Sequence, residues 1–261
     1  MYKLHLSPRK VMLILLAIVM GLLLGGVVTQ YIKYAYGDET QFGFVRLFNL
    51  EGENNLPSWY SSVALLLSSV ALGYIGLHHN QEADPFAWHW LALALLFFCL
   101  STDEAASIHE MSASPIHHWL ERVGHVDSVI SVIGTAWLLA GIPFAVIVFL
   151  GFWRFLLHLP FATRSLFLVA GSLYIMGAIG LEALGGRYIA HHGGSHTLTY
   201  EMMVAMEEGL EMLGVVVFLY ALMMYMAKHG ISLQVVLNLS HPSREPSEHV
   251  SQPEWLEREK S

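Results

Sequence analysis

The sequence predicts an all-α membrane protein with six transmembrane helices and both termini in the cytoplasm. Of its 261 residues, 55% are hydrophobic and only 13% are charged, whereas a soluble domain carries about 25% charged residues. This composition excludes a soluble enzyme, a disordered protein and a disulfide scaffold. Acidic residues outnumber Lys and Arg by 21 to 13, and no basic stripe can be drawn, so no nucleic-acid partner is expected.

Six apolar segments approach or exceed the length of about 20 residues that a transmembrane helix needs. The predicted spans are residues 11–28, 59–77, 86–100, 126–152, 166–184 and 200–227. The first is interpreted as a retained span and not as a signal peptide, because no small-residue cleavage site comes after it. The third is too short to cross alone, so its helix is predicted to continue through 101–111, up to Pro115.

The distribution of Lys and Arg gives the predicted orientation. With the N-terminus inside, nine basic residues are cytoplasmic and four lie on the other side, as the positive-inside rule requires. The chain is then a bacterial inner-membrane protein with a six-helix domain (1–228) and a mobile cytoplasmic tail (229–261), of which 231–239 is predicted to lie along the membrane interface.

Acidic residues from three predicted spans fall at one depth. Asp103 lies 16 residues after Ala87, Glu182 lies 17 after Ser165, and Glu211 lies 17 before Lys228. At about 1.5 Å of rise per residue, all three are predicted about 24–26 Å from the cytoplasmic boundary. Carboxylates inside a membrane are costly unless they are paired, hydrated or bound to metal, and they are functional candidates for that reason.

Helical periodicity predicts which of these acids share a face. The four acids of the sixth span fall within one arc of about 120°: Glu201, Glu207, Glu208 and Glu211. Glu207 lies at the edge of that arc, where an ordinary polar position is the better interpretation. On the third helix Asp103, Ser107 and Glu110 share a face, and His109 points elsewhere unless the helix distorts.

So many carboxylates cannot all be ionised at close range in a low dielectric, and no intramembrane Lys or Arg is predicted at their level. A divalent metal (Zn, Fe or Mn, as one or two ions) near the periplasmic face is therefore the predicted cofactor, because carboxylate and imidazole ligands suit these metals. The candidate ligands are Asp103, Glu104, His109, Glu110, Glu182, His192, His196, Glu208 and Glu211.

Each of these features has a plainer alternative. The acids can form a hydrated cap on polar helix ends, and His117 and His118 are better interpreted as a solvated loop. The stretch 191–196 is either a flexible connector or a loop that folds over the site. Glu51 and Glu53, in the loop before the second span, can cover the site or supply ligands.

Three segments resemble a family of uncharacterised bacterial multipass membrane proteins: 53–62, 103–110 and 207–214. The resemblance covers about residues 45–226 and implies a shared fold. The acidic loop before a span and the Asp103-Glu104 pair are also faintly similar to the alkaline ceramidase/CREST membrane hydrolases. The last two spans offer glutamates where that group has a His-rich motif, so no residue role is carried over.

Three functions stay open on the sequence. The first is a metal-dependent hydrolase or oxidoreductase acting on a lipidic or periplasmic substrate. The second is a proton- or cation-coupled transporter that uses the same acids. The third is a structural subunit of a membrane complex. Membrane lipid is the expected partner, and a homo-oligomer is one open assembly state.

Overall fold

The computed structural model describes residues 7–37, 43–52 and 54–231, and within them it has helices and no strand. The helices in chain order are α1 (Pro8–Tyr36), α2 (Phe44–Phe48), α3 (Leu56–Gln81), α4 (Ala87–Ala106), α5 (Ile108–Arg122), α6 (Val126–Ile133), α7 (Leu138–His158), α8 (Phe161–Ile175), a π-helical turn (Met176–Leu181), α9 (Glu182–His191) and α10 (Leu198–Lys228).

Six helical segments are long and apolar enough to cross a membrane: α1, α3, α4, α7, the segment Phe161–His191 and α10. The predicted all-α class with six spans is therefore confirmed for the part of the chain that is described. Which face is cytoplasmic stays a prediction. Glu53 and the predicted tail beyond residue 231 lie outside the described residues.

The last span, α10, is the central helix of the bundle. It packs against α1, α3, α8 and the π-helical turn, and 56% of its most apolar stretch is buried. One core cluster joins α10 to α3, α4 and α8 around Leu72, Trp90 and Leu222. A second joins it to α1 around Val19 and Met212. Acids on α10 are thus carried by the span with the largest buried share of the six that the structure describes.

Helix α7 is anchored mainly at its two ends. Leu138 and Phe155 are fully buried, whereas the mid-helix residues Ile147 and Leu150 are 68% and 65% exposed. Phe155 stacks on His89 at 5.7 Å and meets Trp90 edge-on at 4.9 Å. Between these ends the inner face of α7, which includes Val148 and Phe149, lines a cavity, so space is left between the middle of the helix and the bundle.

The expected continuation of the third helix to Pro115 is wrong. Helix α4 ends at Ala106, Ser107 adopts a left-handed conformation (φ 50°), and α5 starts at Ile108 and contains Pro115 within it. The Asp103 carboxylate accepts the backbone N–H of His109 at 2.7 Å. Since the first N–H groups of a helix have no intrahelical partner, this bond stabilises the start of α5 where the sequence has neither Gly nor Pro.

The fourth predicted span is also interrupted. Residues 126–133 form α6, and Gly134 (φ 88°) separates it from α7. A Cβ on Gly134 would collide with the Ala183 carbonyl, and one on Gly186 would lie 2.6 Å from Gly134 backbone atoms. Glycine at both positions therefore permits two backbones to approach closely at the break. The fifth span is longer than predicted, and a π-helical turn lies within it.

Candidate functional site

A cavity of about 1440 Å³ is lined by residues of α4, α7, α8 and α10. One part of its lining is acidic, and its carboxyl side chains are Glu51, Asp103, Glu104, Glu110, Glu182, Glu207, Glu208 and Glu211. No Lys or Arg of the described residues lines it. Acids from three different spans therefore face one cavity, and no Lys or Arg of the described residues lies among them.

The rest of the cavity is apolar. Its wall is made largely of aromatic and aliphatic side chains, among them Leu93, Phe97, Phe149, Phe152, Phe167 and Phe218. On α7 the lining residues run from Trp137 to Leu156, a helical rise of about 28 Å. The cavity is thus long as well as large, with carboxyl groups collected toward one end.

The break after Ala106 brings His109 to the acidic part of the cavity. The imidazole Nδ1 lies 2.9 Å from Oδ2 of Asp103, and the ring meets Trp137 edge-on at 5.2 Å. Burial works to lower the pKa of His109, but the hydrogen bond and the charge of Asp103 outweigh it, so the pKa is raised. When Nδ1–H donates to Asp103, Nε2 presents its lone pair to a proton or a metal.

Glu182 is the first residue after the π-helical turn. Its Oε1 accepts the indole N–H of Trp137 at 3.1 Å, and its carboxyl group interacts electrostatically with that of Glu207 on α10. Insertions of this kind in a helix are frequent at functional sites, and here the turn directly precedes the acid.

A glycine allows the π-helical turn to approach α10. A Cβ on Gly177 would lie 2.7 Å from the backbone oxygen of Glu207 and 2.7 Å from Cγ of Glu211. Both contacts are closer than real Cβ atoms allow. The absence of a side chain at position 177 therefore sets the distance between Glu182 and the acids of α10.

Most of the predicted metal ligands line the cavity, but the two loop histidines do not. The lining ligands are Asp103, Glu104, His109, Glu110, Glu182, Glu208 and Glu211. Glu211 interacts electrostatically with Glu208, Glu104, Glu207 and Glu182.

Among the described side chains, two groups of three have ligand atoms within 4.8 Å of one another: His117–His118–Glu121, and Glu51–His196–Glu201. The cavity acids are thus close but not gathered around one point.

The two loop histidines do not line the cavity. The ring of His192 is exposed and stacks on Tyr188 with the centroids 4.0 Å apart. His196 lies beside Glu51, with Nδ1 3.4 Å from Oε2. The exposed group on α5 pairs His118 with Glu121, and this hydrogen bond lowers the pKa of Glu121.

Sequence reasoning missed Glu207, Trp137 and Tyr174 as lining residues. The periodicity put Glu207 at the edge of the acidic arc, and that position faces the π-helical turn, which no sequence signal indicated. Trp137 lay inside an expected continuous span, so its indole could not be assigned to Glu182. Tyr174 lies just before the π-helical turn and interacts electrostatically with Glu211 and Glu104.

The bundle and its cavity define a multipass membrane protein with an acidic site that continues into an apolar chamber. The chain belongs to the family described as "Domain of unknown function (DUF8692)", whose model matches residues 12–226. No curated protein and no solved structure matches the chain. The matched range runs from α1 to the last turn of α10 and so includes the cavity.

Proposed function

We propose that this protein is a metal-dependent membrane enzyme that acts on a lipidic substrate held in the cavity. One observation carries the proposal: a single cavity joins a long apolar section to a set of carboxyl groups with no Lys or Arg of the described residues beside them. An apolar section suits a hydrocarbon chain, and the carboxyl groups suit a cation placed next to the head of that chain.

The case for a metal ion is electrostatic. Several carboxylates at close range in a medium of low dielectric must share protons or be neutralised by a cation. Glu211 lies within electrostatic range of Glu208, Glu104, Glu207 and Glu182, and a divalent cation (Zn, Fe or Mn) would neutralise this group.

His109 is the best-positioned nitrogen ligand of the proposed ion. Metal-bound histidines commonly donate their other ring N–H to a carboxylate, which fixes the ring. Asp103 holds Nδ1 of His109 in this way. Asp103 is then an orienting residue, while Glu104, Glu110, Glu208 and Glu211 are the candidate carboxylate ligands. A bound ion would polarise an ester, amide or phosphoryl oxygen or activate a water molecule.

The loose packing of α7 supports a substrate that arrives from the membrane. A helix anchored at its ends can let a hydrocarbon chain pass beside its middle. Ion transport is less well supported, because a relay needs polar groups through the full thickness and much of the cavity wall is apolar.

Elemental analysis of the purified full-length protein in detergent tests the metal. Glu211→Gln keeps the size of the side chain but removes its charge, and His109→Ala removes the imidazole. Both are expected to lower the bound metal relative to wild type. Glu82→Gln is the matched control, because Glu82 is an exposed acid that lies outside the cavity and outside both groups of potential ligands. Equal metal content in all four proteins would refute the proposed metal site.

Mass spectrometry of co-purified lipid tests the apolar section. Val148→Trp places an indole on the cavity wall and is expected to reduce the bound lipid. Ile147→Trp is the control, because Ile147 lies on the exposed side of the same helix and does not line the cavity. If both variants retain the lipid complement of the wild type, the chamber does not hold a lipid chain.

A further inference from the structure

A second group of potential ligands lies in the extramembrane loops and the first turn of α10. Glu51 comes after α2, His196 lies between α9 and α10, and Glu201 is in the first turn of α10. Their ligand atoms all lie within 4.8 Å of one another. We propose that this group is a second zinc site that ties both loops to α10. Glu51 also lines the cavity, but none of the three ligands belongs to the ion proposed there, so this proposal does not depend on the function proposed for the cavity.

The distances suit a small divalent cation. His196 Nδ1 lies 3.4 Å from Oε2 of Glu51, and ligands about 2.0 Å from a tetrahedral ion are about 3.3 Å apart. Two carboxylates and one imidazole are a common ligand chemistry for Zn²⁺. Three protein ligands leave a fourth position for water.

Both carboxylates are held in place by tyrosines. The hydroxyl of Tyr200 donates to Oε1 of Glu51 at 3.0 Å, and that of Tyr34 donates to Oε1 of Glu201 at 3.3 Å. Hydrogen bonds to the outer oxygen of a ligating carboxylate are typical of metal sites. In addition, the ring of His196 meets Tyr200 edge-on at 5.1 Å, so each ligand has a contact that fixes its orientation.

The charges around the group favour a cation. Glu201 is only 4% exposed and interacts electrostatically with Glu51. Lys33 of α1 acts on Glu201 from a distance but forms no ion pair with it among the described residues. The His196 side chain is 49% exposed, which leaves a route for an ion from solvent to the buried carboxylate.

Zinc titration of the metal-stripped, full-length protein by calorimetry tests the proposal. His196→Ala and Glu201→Gln are each expected to remove one equivalent of bound zinc. His192→Ala is the control, because His192 is an exposed histidine of the same loop outside the group. Tyr34→Phe keeps all three ligands and is expected to weaken that equivalent by about 10- to 100-fold, as loss of an outer hydrogen bond typically does.

The outcomes separate this site from the cavity. If His196→Ala loses one equivalent of bound zinc and Glu211→Gln loses none, the loop site binds zinc and the cavity does not. Loss in Glu211→Gln but not in His196→Ala overturns this inference and leaves the cavity proposal standing. Because His196 is exposed, its alanine variant is expected to fold even where Glu201→Gln does not, and wild-type zinc binding by His196→Ala is sufficient to reject the site.

Discussion

Replacing Gly177 by alanine tests whether the close approach of the π-helical turn and α10 builds the acidic end of the cavity. The new Cβ would lie 2.7 Å from two atoms, one of which is the backbone oxygen of Glu207. A backbone atom of the central helix cannot rotate away, so the two elements must separate. Overpacking of this kind typically costs about 1–3 kcal/mol.

The matched control is Gly171→Ala, in the same transmembrane segment. A Cβ at position 171 meets no atom within 4 Å, and a compatible Gly→Ala change stabilises by about 0.4–1 kcal/mol by restricting the unfolded chain. The two variants are therefore expected to change the free energy of unfolding in opposite directions, although the chemical change is the same.

Thermal unfolding in detergent measures the difference. For a protein of this size a change of 1 kcal/mol moves Tm by about 2–4 °C, so Gly177→Ala is expected to lower Tm by several degrees and Gly171→Ala to leave it unchanged or raise it slightly. Equal Tm values for the two variants would refute the reasoning.

Three further predictions concern other parts of the fold. Asp103 raises the pKa of His109, so the pair stabilises the protein fully below about pH 6.5 and loses this contribution as the pH rises through the folded-state pKa. Asp103→Asn should lower the pKa of His109 in an NMR titration, and an unchanged pKa would contradict the pairing. Ser107 has a left-handed conformation, which costs a non-glycine residue about 1–2 kcal/mol. Ser107→Gly should therefore raise Tm, whereas Ser107→Ala should not raise it. Tyr225→Phe removes the hydroxyl 2.8 Å from Nε2 of buried His79 and should destabilise by about 1–3 kcal/mol, with an unaltered Tm counting against that hydrogen bond.

The six spans could be predicted because hydropathy and length are properties of the sequence alone. Asp103, Glu182 and Glu211 were also placed at one depth by helix rise, and all three line one cavity. Metal binding by these residues stays a prediction. Depth is one coordinate along a helix, and it is available without knowing how the helices pack.

The direction in which each acid points could not be predicted, because it depends on breaks that carry no local signal. Ser107 is neither Gly nor Pro, yet the chain turns there because Asp103 accepts the N–H of His109. Without that break His109 points away from Asp103, and with it the two side chains form a pair. The π-helical turn likewise changes the direction in which Glu182 points. Helical periodicity placed Glu207 at the edge of the acidic arc, but that position faces the π-helical turn and so lies within the site.

The breaks and the cavity are therefore connected. Uninterrupted helices would present their acids at fixed 100° steps, and only some would face the bundle. Each interruption changes the angular position of the residues after it: Ser107 for His109, Gly134 for Trp137, and the π-helical turn for Glu182. All three of these side chains meet at the acidic end, where Trp137 contacts both His109 and Glu182. Interruptions cost backbone hydrogen bonds inside a membrane, and their concentration around one set of carboxyl groups is why the proposed function is placed at that end.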